Sequence, residues 1–490
     1  MTINRLSTGV PGLDEVLGGG LPEFSFNLIA GSPGCGKTTL AHQMMFALAT
    51  PQRPGLYFTV LGEPPLKMLR YQQQFGFFDN DAINRSVYFV NLSEEALSGD
   101  FDRVLQAIVA GVETHRPAVV FVDSFRSMSH AGGADRAHND LQQFVQQLGM
   151  LMTSWQATTF LIGEYGAADE ANPVFTVADG MLCLTQSVER NSMVRKLQVT
   201  KMRGQATLPG SHTFRITRDG IRVFAPAPVG AATSASAAPL PERAMTGVDE
   251  LDAMLGGGLP RGYSLLVAGP SGSGKSILAS SFLVEGDRRG ETGVIAAFDQ
   301  NPFRSRDRRI ADLIDRNRVG LVHKLSPDLS IDETVQHVLQ EIRRLGATRV
   351  VIDSLSGFEL SIAPAFREDF REKMLRMLTA FAAEGVTVLM TSELEDRYTD
   401  LRFSPYGTAF LTDAIVVQRY MEVDSRLLRM MAVVKVRASD HSNELREYTI
   451  NDQGIQVGGR LVALEGLLGG RPRLKHDRAR RDESDAAVGD

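Results

Sequence analysis

Cysteine is nearly absent from this 490-residue chain: Cys35 and Cys183 are too few for a disulfide framework or a zinc site. Tryptophan occurs once, at Trp155, and neither it nor His42 or His130 has a partner at ligand or stacking spacing, so all three read as structural residues. No run is long and apolar enough to span a membrane. The N-terminus, Met1 to Arg5, also lacks the charged and apolar segments of a secretory signal, so a cytoplasmic protein with no membrane partner is expected. A net charge of −6 excludes a surface built throughout to hold polyanions, and nucleic acid is not an expected partner. The conspicuous basic residues Arg471, Arg473, Lys475, Arg478, Arg480 and Arg481 are followed at once by Asp482, Glu483 and Asp485. The tail 471–490 therefore reads as solvated and disordered.

What the chain does have, twice, is a phosphate-loop pattern G-x-x-x-x-G-K-[ST]. Gly31, Ser32, Pro33, Gly34, Cys35, Gly36, Lys37 and Thr38 form the first copy, and Gly269, Pro270, Ser271, Gly272, Ser273, Gly274, Lys275 and Ser276 the second. Glycines at these places let successive backbone N–H groups turn inward around phosphates, and the helix that follows aims its positive end at the same oxygens. Lys37 and Lys275 then reach the β and γ phosphates, while the hydroxyls of Thr38 and Ser276 ligate magnesium; Thr39 and Ile277 complete the ATP-binding segments. The apolar run Phe24 to Ala30 reads as a strand entering the first loop, and Tyr263 to Ala268 as its counterpart. Helices are expected over Thr39 to Met45 and Ile277 to Leu283. Cys35 sits beside a helix N-terminus that favours a thiolate, but its counterpart is Ser273, so a small filler residue is the favoured reading.

Repetition extends far beyond the loops. Thr8-Gly-Val, Leu13-Asp and Leu17-Gly-Gly-Gly-Leu-Pro22 recur as Thr246-Gly-Val, Leu251-Asp and Leu255-Gly-Gly-Gly-Leu-Pro260. A near-constant offset over such a distance means a duplicated domain. The segment 225–241 is rich in Ala, Pro and Ser and reads as an extended linker between domains at 1–224 and 242–470. Each copy runs strand, loop, helix, strand, helix, strand. Phe101, Val104, Ile108 and Val112 recur at helical spacing before one apolar strand; Ser330 and Glu333 form a capping box before the matching helix, which Gly346 stops. The fold class is α/β, two tandem domains, each a mostly parallel sheet flanked by helices, with nucleotide at the carboxyl ends of the strands. Asp123 and Asp353, each last in an apolar strand, are the expected second magnesium-organising groups.

These features together resemble the KaiC group of RecA-type ATPases, from about Leu6 to Val457. The marks are the Thr-Gly-Val and Gly-Gly-Gly-Leu-Pro segments, both loops, both Asp-Ser strand ends, and the late motifs Lys201-Met202-Arg203 and Lys435-Val436-Arg437. The resemblance implies a homohexamer of two stacked rings with ATP and Mg2+ at subunit boundaries. It also implies that Lys201, Arg203, Lys435 and Arg437 point at the neighbour's γ-phosphate. The family carries two adjacent glutamates after the second strand to orient and deprotonate water. The first copy here reads Leu61-Gly62-Glu63-Pro64-Pro65 and the second Phe298-Asp299-Gln300-Asn301-Pro302, leaving Glu63 and Asp299 as the catalytic carboxylates of a slow ATPase. The family's phosphorylated serine and threonine fall on Ala409 and Phe410, which have no hydroxyl, with Thr408 and Thr412 the nearby substitutes. The expected function is a slow ATP-hydrolysing signalling switch, with serine/threonine autokinase activity left open because the usual phosphosite pair is replaced. A DNA-stimulated motor with a loop at 125–136, and a nucleotide-locked scaffold without hydrolysis, are the alternatives.

Overall fold

A computed structural model describes residues 3–60, 65–97, 100–123, 134–164, 173–189, 192–227, 242–298, 308–323, 330–362, 369–394, 411–423, 425–461, 464–465 and 473–474. Glu63, Asp299, Gln300, Thr408, Ala409 and Phe410 lie outside these residues, as do 125–133 of the proposed DNA loop and 228–241 of the expected linker. The chain divides into two compact units, Met1–Pro226 and Ala227–Asp490.

In the first unit, nine strands form one sheet. Its parallel part runs, in spatial order, Gly180–Glu189, Phe26–Gly31, Thr158–Gly163, Val119–Asp123, Gly55–Thr59 and Val87–Asn91. Beyond Gly180–Glu189, the strands Ser192–Met202, Ser211–Thr217 and Gly220–Phe224 continue it as an antiparallel meander. The second unit repeats this order, with Ser264–Gly269 between Thr387–Glu393 and Ala414–Val423 at its centre. Both loop strands are buried at every position, because helices cover both faces and leave no face to hydrate. One core holds Leu40, Met44, Tyr57 and Phe121 with the helix Lys37–Leu48; the other holds Leu56, Phe58, Ile108 and Leu148 beneath Phe101–His115 and Ala134–Ser154.

The two loop-following helices are Lys37–Leu48 and Lys275–Arg288, each starting two residues before the run expected from the sequence. Gly346 closes the helix Ile331–Leu345 at φ 62, as expected. The capping box is corrected: Ser330 stands at the N-cap with an extended backbone, but its hydroxyl is buried without a hydrogen bond. Thr334 instead bonds back to the Ser330 carbonyl through its N–H and its hydroxyl, both at 3.1 Å. None of the described helices is long and apolar enough to cross a membrane.

Candidate functional site

Each phosphate loop hangs from the end of a central strand, and its last glycine begins the helix. Gly36 and Gly274 have φ of 109 and 100, a left-handed conformation that a side chain resists. A Cβ at either place would also lie 2.8 Å from Ile216 Cδ1 or 2.7 Å from Ile450 Cδ1, so those side chains would have to shift.

The lysines lie across their loops. Lys37 Nζ donates to the carbonyls of Gly31 at 2.9 Å and Ser32 at 3.0 Å; Lys275 Nζ donates to those of Gly269 and Pro270, both at 2.8 Å. In the first unit the expected magnesium pair is assembled: Thr38 Oγ1 lies 3.1 Å from Asp123 Oδ2. Burial pushes the Asp123 carboxyl above the usual carboxylate range, against the hydrogen bonds from Tyr57 and Thr38 and the charge of Lys37. In the second unit a cavity of about 410 Å³ gathers Ser271, Gly272, Gly274, Lys275, Ser276 and Ile277 with Asp353, Ser354 and Glu393. Asp353 accepts a hydrogen bond from Thr391.

These donors fit a magnesium ion. Hydroxyl and carboxylate oxygens are hard ligands, and magnesium usually takes one or two carboxylates and fills its remaining positions with water and substrate phosphate. Among the described residues no cluster of three His, Cys, Asp or Glu side chains forms a cage for a tighter-held metal.

The loops are anchored differently. In the second, Ser273 Oγ donates to Gln418 Oε1 at 3.0 Å, and Tyr448 and Tyr420 donate to the carbonyls of Ser273 at 2.6 Å and Ser271 at 3.3 Å. The first loop uses apolar packing: Cys35 is fully buried in the core that contains Leu184, Leu197 and Phe214. Burial pushes the Cys35 thiol up, despite the nearby Lys37 charge, so it is a filler and no activated thiolate. His42, likewise a core residue, packs edge-on to Tyr57 with ring centres 4.6 Å apart.

The late cations lie away from their own loops. Lys201 Nζ donates to the carbonyls of Phe175 at 3.1 Å and Thr176 at 3.2 Å, and Arg203 pairs with Asp179 at 3.1 Å. Asp179 in turn accepts from the N–H of Phe26, the first residue of the loop strand. The second unit repeats this: Lys435 bonds the Thr412 carbonyl at 2.6 Å, Arg437 pairs with Asp413 at 3.3 Å, and Asp413 accepts from Ser264 N–H. A six-residue strand is about 17 Å long. Arg203 and Arg437 are thus tethered at the opposite end of the loop strand from the phosphate cradle.

The backbone also aligns the residues that follow the second strand. Val60 N–H donates to the Asp123 carbonyl at 2.7 Å and Phe298 N–H to that of Asp353 at 2.9 Å, so Val60 and Phe298 are equivalent. Glu63 and Asp299, the expected catalytic carboxylates, follow these two places and lie outside the described residues. Sequence reading missed four neighbours of the aspartates. Tyr57 and Thr391 carry no motif, but Glu164, just after one strand, and Glu393, last in the matching one, recur in both copies, a recurrence that was there to find.

A family model for the KaiC ATPase matches residues 6–227 and again 244–461. The circadian clock oscillator protein KaiC of Picosynechococcus sp. (strain ATCC 27264 / PCC 7002 / PR-6) is 27% identical over 96% of this chain and 92% of its own. Similar coverage is found with KaiC of Rippkaea orientalis, at 26% identity, and with KaiC 1 of Synechocystis sp. (strain ATCC 27184 / PCC 6803 / Kazusa), also at 26%. Two matched regions, two phosphate loops and two sheets of one topology give a single conclusion: this chain belongs to the KaiC family of ATPases, with two tandem RecA-like domains.

Proposed function

We propose that the protein is a cytoplasmic, slowly hydrolysing ATPase that assembles as a homohexamer of two stacked rings and reports its nucleotide state to signalling partners. Lys37 and Lys275 hold the phosphates, Thr38 with Asp123 and Ser276 with Asp353 hold magnesium, and Lys201, Arg203, Lys435 and Arg437 complete the neighbour's sites. Bound magnesium would neutralise charge on the phosphates. The observation that carries the reading is the tethering of Arg203 and Arg437 far from their own loops, in both domains. Cations so placed serve a triphosphate when a second copy presents it, which makes turnover depend on assembly. ATP that contacts both sides of each boundary would favour the ring. The test is the mass in solution with ATP and without nucleotide: a hexamer with ATP is expected, and a monomer under both conditions removes the assembly. Alanine at Lys37 and at Lys275, separately, is expected to lower ATP turnover; no change from either discredits both sites.

The relatives' names describe circadian clock oscillators, but self-phosphorylation at the family's residue pair is not expected here. Ala409 and Phe410 offer no hydroxyl, and Thr412 is 1% exposed. Intact mass after incubation with ATP and magnesium shows whether phosphate is transferred to the chain, with Thr408 the nearby hydroxyl outside the described residues, or only to water. A nucleotide-locked scaffold is the second reading, favoured by the altered glutamate positions, which keep only Glu63 in the first copy and read Asp299-Gln300 in the second; absence of phosphate release in the steady state would establish it.

A further inference from the structure

We propose that Glu393, with Glu164 at the matching place in the first domain, is the carboxylate that orients the attacking water and accepts its proton; this rests on the ATPase reading above. The strand Thr387–Glu393 pairs in parallel with the loop strand, and its register sets Glu393 beside Gly269, the first glycine of the cradle. The backbone is pinned on both sides. Glu393 N–H donates to Ser356 Oγ at 3.1 Å, and Leu394 N–H donates at 3.1 Å to the Gly269 carbonyl that also receives Lys275 Nζ. The Glu393 side chain lines the same cavity as Lys275, Ser276 and Asp353.

Three features separate Glu393 from a bystander. It forms no ion pair among the described residues, so it is not spent on holding the fold. A carboxylate beside a triphosphate repels it, so binding alone gives no reason for an acid here, yet the chain places one in both domains. In the first domain the parallel register that pairs Ala30 with Gly163 carries Glu164 to the level of Gly31, the matching glycine. Of the two carboxylates among the described residues that line the second cavity, Asp353 is assigned to magnesium and bonded to Thr391, which leaves Glu393 to accept a proton; Asp299 lies outside the described residues. In the step, the water oxygen bonds to the γ-phosphorus while the bond from that phosphorus to the bridging oxygen breaks, and its electron pair leaves with ADP. One water proton passes to the Glu393 carboxylate and from there to solvent, and inorganic phosphate is released.

The test uses the full chain carrying Lys37→Ala, so that turnover reports the second domain. Glu393→Gln in that background is expected to cut phosphate release about a hundredfold while bound nucleotide, recovered by denaturation, stays stoichiometric and shifts from ADP to ATP. Glu393→Asp is expected to restore part of the rate. Turnover within twofold of the parent overturns the proposal, as does loss of nucleotide binding in Glu393→Gln, or Asp299→Asn abolishing a rate that Glu393→Gln leaves intact. A parent whose phosphate release is indifferent to Lys275→Ala would instead sink the ATPase reading of this domain, a separate failure.

Discussion

Tyr57 donates its phenolic hydroxyl to Asp123 Oδ2 at 2.8 Å, the same oxygen that lies 3.1 Å from Thr38 Oγ1. The second domain has Ile295 at the matching strand position and holds its aspartate from the opposite neighbouring strand, through Thr391. Groups that orient a metal's carboxylate commonly tune affinity by tenfold or more. Tyr57→Phe is therefore expected to raise the magnesium concentration needed for nucleotide binding in the first domain about tenfold. Titrating magnesium against a fluorescent ATP analogue, in a Lys275→Ala chain, measures it; an unchanged midpoint would show that Thr38 and the strand suffice.

His42 makes the first domain acid-sensitive. Burial lowers its pKa from the ordinary 6.5 to about 3, with Gln72 opposing the shift. Because the folded state holds the imidazole neutral, the unfolded chain binds a proton first as pH falls. Stability is complete above pH 6.5 and declines below it, by up to about 1.4 kcal/mol per pH unit, until pH approaches 3. The urea midpoint of the first domain should fall between pH 7 and pH 5, and His42→Phe should flatten that slope. An equal slope in both proteins would assign the acid loss to other groups.

Cys35 and Ser273 occupy one position in the two loops but cannot be exchanged freely. Ser273 has Gln418 and Tyr448 around it, whereas Cys35 has a fully buried apolar setting. Cys35→Ser would place a hydroxyl in that apolar setting, faced only by backbone N–H groups of the loop, and is expected to cost the first domain about 1–3 kcal/mol. Cys35→Ala is expected to cost less. Thermal melting of the two variants decides it: equal losses would point to volume as the cause, with no part for polarity.

The parallel sheets were legible because strands such as Val119–Asp123 are continuous apolar runs bounded by turn residues, and the loops because their glycines and lysine fall at fixed spacing. The helix after each loop was placed but started too late, since Lys37 and Thr38 read as loop chemistry while already carrying helical geometry. Ser330 shows the limit of a capping pattern: the residue types were right, but the hydroxyl is buried where it meets no donor. Tyr57 was hidden because an aromatic in a buried strand signals packing; its hydrogen bond depends on which strand lies beside Val119–Asp123, which is a matter of topology. The same holds for Glu393, whose place next to Gly269 follows from strand order.

Arg349 gives the sharpest contrast between the domains. It is 1% exposed, pairs with Glu291, donates to the carbonyls of Met245 at 2.6 Å and Phe282 at 2.8 Å, and lies over the Phe282 ring. Burial alone would raise the Glu291 carboxyl, but Arg349 and Arg261 hold it below its ordinary value. The first domain solves the same position with Val119, paired to Gly55 as Arg349 is to Gly293. Removing one partner of a buried pair strands the other charge, whereas replacing the whole arrangement by apolar groups need not destabilise. Glu291→Ala is therefore expected to cost the second domain about 3–5 kcal/mol, and Glu291→Ala with Arg349→Val to recover much of it. Denaturant unfolding of the two variants checks this. A double variant as unstable as the single one would mean that the backbone bonds from Arg349 to Met245 and Phe282, and not its charge, hold that corner of the domain.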